Sequence, residues 1–195
     1  MCHDLLRDAS FQHRLLELDR KIAAQAREKA CAFCGGRLHR ADYQRKPRGG
    51  PEIEDADAER RFSFCCSSEG CRRRMTPPSV RFLGRRVYFA VVVTLASAVS
   101  QGLSDRRLAR IQGELAISRR TLERWLVWWC QTVPATSWWR ELRGRLASAV
   151  DVLRLPATLL DRFGGGERER VEKLLVELGP LSVTAQMAAR LGMAR

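Results

Sequence analysis

Two short cysteine runs, Cys31-Ala-Phe-Cys34-Gly-Gly and Cys65-Cys66-Ser-Ser-Glu-Gly-Cys71, constrain this chain more than any other feature. A cysteine pair spaced by two residues and followed by glycine has the shape of a knuckle. In it, backbone amides turn toward the thiolate sulfurs and glycine relieves the tight geometry. Two knuckles on two hairpins supply four thiolates, the tetrahedral set that zinc prefers, and binding such an ion is worth about 10–16 kcal/mol. That is enough to hold a ribbon too small to fold on its own core. Cys31, Cys34 and Cys71 are expected ligands. The remaining one is Cys65 or Cys66, which a strand sends to opposite faces. Cys66 leaves 4 residues before Cys71 and Cys65 leaves 5, so the usual spacing favours Cys66.

His39 is the other possible ligand, and on a strand it is better read as exposed or phosphate-facing. The rival readings are a redox dithiol and a chance grouping of cysteines. A redox pair closes a strand and opens a helix, whereas Gly35-Gly36 follows Cys34 here. Four cysteines leave no open coordination position, which makes the expected Zn2+ structural and not catalytic. Cys2 and Cys130 fall outside the pattern, as a terminal and a core thiol.

The chain has 195 residues, with 35 Lys+Arg against 22 Asp+Glu and a net charge of +13. Lysine stands only at 21, 29, 46 and 173, so the positive charge is nearly all arginine, whose planar fork grips phosphate in two places. A GC-rich codon supply explains arginine over lysine, but not the excess over acids. Residues 31–86 carry 13 basic and 7 acidic residues, so much of the excess lies beside the cysteines. Such a balance suits a polyanionic partner. Asp4, Arg7 and Asp8 interrupt any N-terminal apolar stretch, and Val87–Val99 is shorter than the roughly 20 residues of a spanning helix. The expectation is a cytoplasmic, nucleoid-associated protein with no membrane partner and no small-molecule substrate.

The predicted fold is mainly α with a small β zinc ribbon, in four parts. Residues 1–30 form an amphipathic helix, with Phe11, Leu15, Leu18, Ile22 and Ala26 on one face and Ser10 as a cap. This helix packs on the chain's own body in preference to docking on a partner. Residues 31–86 hold the ribbon and a basic linker, with strands over Arg37–Tyr43 and Arg61–Cys66 and a mobile loop between them. Residues 87–135 form a helix-turn-helix domain: helices over Val87–Gln101, Asp105–Leu115 and Ser118–Thr132. Residues 136–195 are a C-terminal helical segment, with helices over Ser137–Leu153, Glu167–Leu178 and Ser182–Leu191. The tryptophans at 125, 128, 129, 138 and 139 are spaced for a core.

Within the third part, Leu108, Ile111 and Leu115 share one helix face, and Leu122, Trp125, Leu126 and Trp129 share another. Ile117 plugs the corner. Ser118 caps the second helix and leaves Arg119, Arg120, Glu123 and Arg124 on its open side. Two such helices form the motif that lays its second helix in a major groove. The arginines suit phosphate or the O6/N7 edge of guanine, Glu123 suits cytosine N4, and Ser118 at the helix N-terminus suits phosphate. Arg72, Arg73 and Arg74, then Arg81, Arg85 and Arg86, form a basic ridge with no acid between 70 and 104. A ridge of this kind contacts phosphates without reading sequence.

Cys31-x-x-Cys34-Gly, the knuckle ending Cys71-Arg-Arg-Arg and Ile117-Ser-Arg-Arg-Thr-Leu-Glu-Arg-Trp125 together resemble the zinc-ribbon and helix-turn-helix parts of bacterial insertion-sequence transposases and their accessory proteins. The resemblance covers roughly residues 31–130. It implies double-stranded DNA as partner, at element ends or an operator, with a transposase or a second copy of the chain beside it. Ala116 departs from the glycine common in such turns, and Gln112-Gly113 from a small residue such as alanine. The residues after Pro134 are too few and too helical for an RNase-H-like catalytic sheet. The expectation is therefore a zinc-stabilised, non-enzymatic DNA-binding protein, mobile-element-associated or regulatory. The alternative is a zinc-ribbon protein-interaction or RNA-associated module that docks on a larger complex. Asp105, Glu114, Glu123, Asp151 and Asp161 show no metal-ligand spacing that would mark a nuclease.

Overall fold

A computed structural model describes residues 2–84, 86–100, 106, 109, 112–113, 115–146 and 148–183. Arg85, most of the expected helix over Asp105–Leu115, and the last helix from residue 184 onward lie outside the described residues. The architecture is about half helix with a small antiparallel sheet, as the sequence predicts.

The N-terminal segment forms two helices, α1 (Cys2–Arg7) and α2 (Ala9–Glu28). Asp8 separates them because its carboxylate accepts from the amides of Ser10 (2.9 Å) and Phe11 (3.1 Å), the donors a helix start leaves unpaired. Ser10, the expected cap, instead donates its hydroxyl to Asp8 (2.7 Å). One face of α2 buries Phe11, Leu15, Leu16, Ala23 and Ala26. Phe11 and Leu15 enter the helical core, whereas Leu16, Ala23 and Ala26 enter the ribbon core, so α2 is the wall common to both.

The ribbon is one bent ladder. β1 (Leu38–Arg40) and β2 (Tyr43–Gln44) run antiparallel to β4 (Phe64–Cys66) and β3 (Arg60–Arg61), and β5 (Arg74–Met75) adds to β4. The register pairs Leu38 with Cys66 and Arg40 with Phe64. At the bend, the Ser63 amide donates to the Asp42 carboxylate (2.8 Å), which keeps the break satisfied. Leu38, Phe62, Phe64, Cys66 and Met75 close over the α2 wall.

The loop between β2 and β3, expected to be mobile, is folded onto the helices. Arg48 lies opposite Tyr88 in a β-bridge, its amide donating to Val87 O (2.8 Å) and its carbonyl accepting from the Phe89 amide (3.2 Å), and Arg20 of α2 grips Asp55 (2.7 Å) and Asp57 (3.0 Å). Beneath it, Asp19 and Arg81 are buried (2% and 1% exposed) and joined at 2.9 Å. Asp19 also accepts from Ser79 Oγ (2.6 Å) and the Val80 amide (2.7 Å). Arg81 donates to the carbonyls of Ala58 (2.7 Å) and Arg60 (2.9 Å). Its guanidinium lies against the rings of Phe82 (4.9 Å) and Phe62 (5.6 Å). Every element that meets there is pinned by one charge pair.

The helical body is built around α3 (Ala90–Ser100), which starts later than the expected Val87 and is buried from Ala90 through Ser97. α4 (Arg119–Val127) runs into a widened turn over Trp128–Thr132. α5 (Ser137–Arg145) ends eight residues before the expected Leu153, where Leu146 turns extended after Gly144. α6 (Ala157–Leu160) and α7 (Glu167–Leu178) complete it. Trp125, Trp129, Trp138 and Trp139 are buried, and Trp138 Nε1 donates to the Glu177 carbonyl (2.6 Å), tying α5 to α7.

Removing one partner of a buried, hydrogen-bonded pair strands the other charge, a loss of about 3–5 kcal/mol. Asp19→Ala is expected to lower unfolding stability by that amount in urea titrations. Arg81→Lys should not restore it, because an ammonium cannot span the same carbonyls.

Candidate metal centre and basic helix face

The first knuckle forms because the Gly35 amide donates to Cys31 O (2.8 Å) and the Cys31 amide to Gly36 O (2.9 Å), with Gly35 at φ +72°. Gly36 is required for space: a Cβ there would lie 2.2 Å from Ser68 Oγ and 3.1 Å from Cys66 Sγ. In the second knuckle the amides of Cys71 and Arg72 both reach Ser68 O, and Arg72 takes the left-handed turn at φ +44°. The two knuckles face each other, bringing the Sγ atoms of Cys31, Cys34, Cys66 and Cys71 within 4.8 Å of one another. Cys31 and Cys71 are 3.8 Å apart, and Cys34 and Cys66 3.4 Å. Tetrahedral thiolates at about 2.3 Å from an ion would stand about 3.8 Å apart. The set is compatible with a structural metal ion.

Cys65, the neighbour on β4, faces elsewhere, with its Sγ 3.4 Å from Arg72 O. His39 lies exposed on β1, opposite Cys65 in the ladder. Cys130 reaches the Leu153 carbonyl at 3.3 Å, far from the cluster in sequence and role.

Cys34 and Cys71 are pushed in opposite directions. A hydrogen bond from the Gly36 amide, helped by the Cys66 and Cys71 thiols, lowers Cys34 to about 6. At Cys71 the Arg73 amide works downward, but burial and the three other thiols push the group up to about 11. Metal binding requires thiolates, so an ion held here would displace the proton that the raised Cys71 keeps at neutral pH. As pH falls through about 6, Cys34 also takes up a proton, so acid opposes metal binding.

On the helical side, Ser118 Oγ accepts from the Thr121 amide (3.2 Å) and caps α4. Leu122 and Trp125 hold the helix inward, leaving Arg119, Arg120, Glu123 and Arg124 exposed. Arg119 pairs with Glu123 at 3.0 Å, the two side chains 85% and 58% exposed, an arrangement that opens at little cost. The preceding turn is helical at 112 and 113, buries Leu115 and Ile117, and holds Ala116 at φ +50°. Tyr88 Oη donates to Ala116 O (3.0 Å), while its ring packs edge-on to Trp125 (5.0 Å).

The basic ridge is not continuous. Arg72, Arg73 and Arg74 are exposed, with Arg73 over the Phe33 ring (4.6 Å) and Arg74 donating to Ala41 O (3.0 Å). The chain then dives under the surface from Pro77 to Leu83, taking Arg81 out of reach of any phosphate. Arg86 re-emerges over the Trp128 ring (4.0 Å), its pKa lowered by burial. It shares an open cleft of about 540 Å³ with Arg48, Thr121 and Arg124. Arg48 carried no signal in the sequence, because only the folding of the loop brings it there. Asp19 did carry one, a carboxylate among the apolar positions of an amphipathic helix.

Among the described residues, no helix is long and apolar enough to cross a membrane. Comparisons with protein-family models, with curated proteins and with solved structures give no match.

Metal analysis of the purified chain should find about one ion per chain. Cys34→Ser or Cys71→Ser should abolish it and Cys65→Ser should not. Relieving the left-handed alanine before α4, Ala116→Gly should raise stability by about 0.5–1 kcal/mol in the same unfolding assay used for the buried pair.

Proposed function

We propose that this chain is a zinc-stabilised, non-enzymatic DNA-binding protein that lays α4 in the major groove. The observation that carries the reading is the outer side of α4. Three arginines and a glutamate are exposed on a capped helix whose inner side is locked by Leu122 and Trp125. Its N-terminal amides and Ser118 suit a backbone phosphate, Arg119, Arg120 and Arg124 suit phosphate or guanine, and Glu123 suits cytosine N4. Burial of Leu115 and Ile117 in the turn before α4 supports a helix-turn-helix corner. Arg48, Arg86 and Arg124 around one cleft support a second line of phosphate contacts beside the groove-reading side chains. Arg72, Arg73 and Arg74 add a separate basic patch on the ribbon.

Zinc fits the cysteine set by ligand type and spacing, and all four thiolates would be used in coordination, so its chemistry is structural. Cys31, Cys34, Cys66 and Cys71 hold it. A role beside a transposase, or as a regulator at an operator, follows from the same groove-reading helix.

A gel-shift series with duplex DNA tests the reading. Affinity should fall steeply with salt, with a log–log slope of about −0.9 for each phosphate contacted. Arg119→Glu with Arg120→Glu should abolish the shift while leaving metal content unchanged. Absence of binding at low salt would overturn the proposal. Affinity unchanged by the charge reversal would favour a docking or RNA-associated module instead.

A further inference from the structure

The loop between β2 and β3 folds over α2 and α3 and leaves an open cavity of about 430 Å³, a size suited to a small ligand or one side chain with its backbone. Gln12 of α2 lines it. This side chain is 1% exposed, and neither its Oε1 nor its Nε2 has a hydrogen-bond partner. An unpaired buried amide is costly, so a guest that offers one donor and one acceptor is favoured there. The loop lies close on the helices at Gly50, where a Cβ would come within 2.7 Å of the Phe89 ring.

The rim is acidic on a chain of net charge +13. Glu52, Glu54 and Glu59 are exposed along it, none ion-paired to another described residue, and Arg60 is the one basic group on the lining. Asp55, by contrast, is already held by Arg20. These carboxylates do not converge on a point. Among the described residues, the cysteines alone form a group able to hold a metal ion. Spread carboxylates around a neutral amide fit an extended organic cation, and the guanidinium fork engages more than one carboxylate at once.

We propose that this cavity receives an arginine of a partner protein, with the guanidinium against the Glu52, Glu54 and Glu59 rim and the adjoining peptide group paired to the Gln12 amide. Peptide N–H and C=O are the donor and acceptor that Gln12 lacks. DNA is repelled by the same carboxylates, and the proposal does not depend on the DNA reading.

The test is a two-dimensional NMR titration of the full, zinc-loaded chain with N-acetyl-arginine-N-methylamide. N-acetyl-norleucine-N-methylamide serves as the neutral control and magnesium chloride as the simple cation. The expected result is a saturable shift of the Gln12 side-chain amide and of residues 50–59 with the arginine compound, absent with both controls. Glu52→Gln with Glu59→Gln should weaken that binding about tenfold, since two exposed charge pairs are removed. Gln12→Leu should weaken it too. If that core variant fails to fold, the glutamate pair, which lies on the surface, decides. No saturable shift, an equal response to norleucine or magnesium, or affinity unchanged in the glutamate variant would each overturn the proposal.

Discussion

The buried pair between Asp19 and Arg81 is the joint on which the molecule depends. Neither charge would survive burial alone, and each is satisfied by a different part of the chain: Asp19 by the Ser79–Val80 segment, Arg81 by carbonyls of the loop that returns to β3. α2, the linker and the ribbon loop are thereby held at one point. Because α2 also contributes apolar side chains to both cores, the ribbon is fastened to the helical body by packing as well as by charge.

From that joint a line of contacts runs to the basic helix. The loop carries Arg48 to the backbone of Val87 and Phe89, on either side of Tyr88. Tyr88 then holds the turn before α4 through the Ala116 carbonyl and braces Trp125 with its ring. The cysteine cluster fixes the far end of the ribbon, where Cys31 and Cys66 double as core residues beside Leu38 and Met75. A metal ion held there would organise a sheet of two- and three-residue strands too short to persist alone. Orientation of α4 is therefore linked to the ribbon through side chains and backbone.

Much of this was legible in the sequence, and the reasons differ by element. Cysteine spacing and the flanking glycines specify the knuckles locally, and strand alternation separates Cys65 from Cys66. Ser118 followed by a basic turn and by Leu122 and Trp125 marks α4 from its own periodicity. The ridge failed for a physical reason: charge along a sequence says nothing of depth, and Arg81 is buried by a partner 62 residues away. The order in the loop was hidden for the same cause, since Arg20, Tyr88 and Phe89 all hold it from outside. The unpaired amide of Gln12 is likewise a product of tertiary closure, and a glutamine at that position of α2 reads in sequence as solvent-facing.

The central claim is that one side of α4 meets DNA while the metal ribbon holds that helix in place. Backbone NMR of the zinc-loaded chain titrated with a short duplex tests it most directly. The account predicts amide shifts centred on residues 118–124, with smaller ones at Arg48 and Arg86. Shifts that spare α4, or none at all, would contradict it.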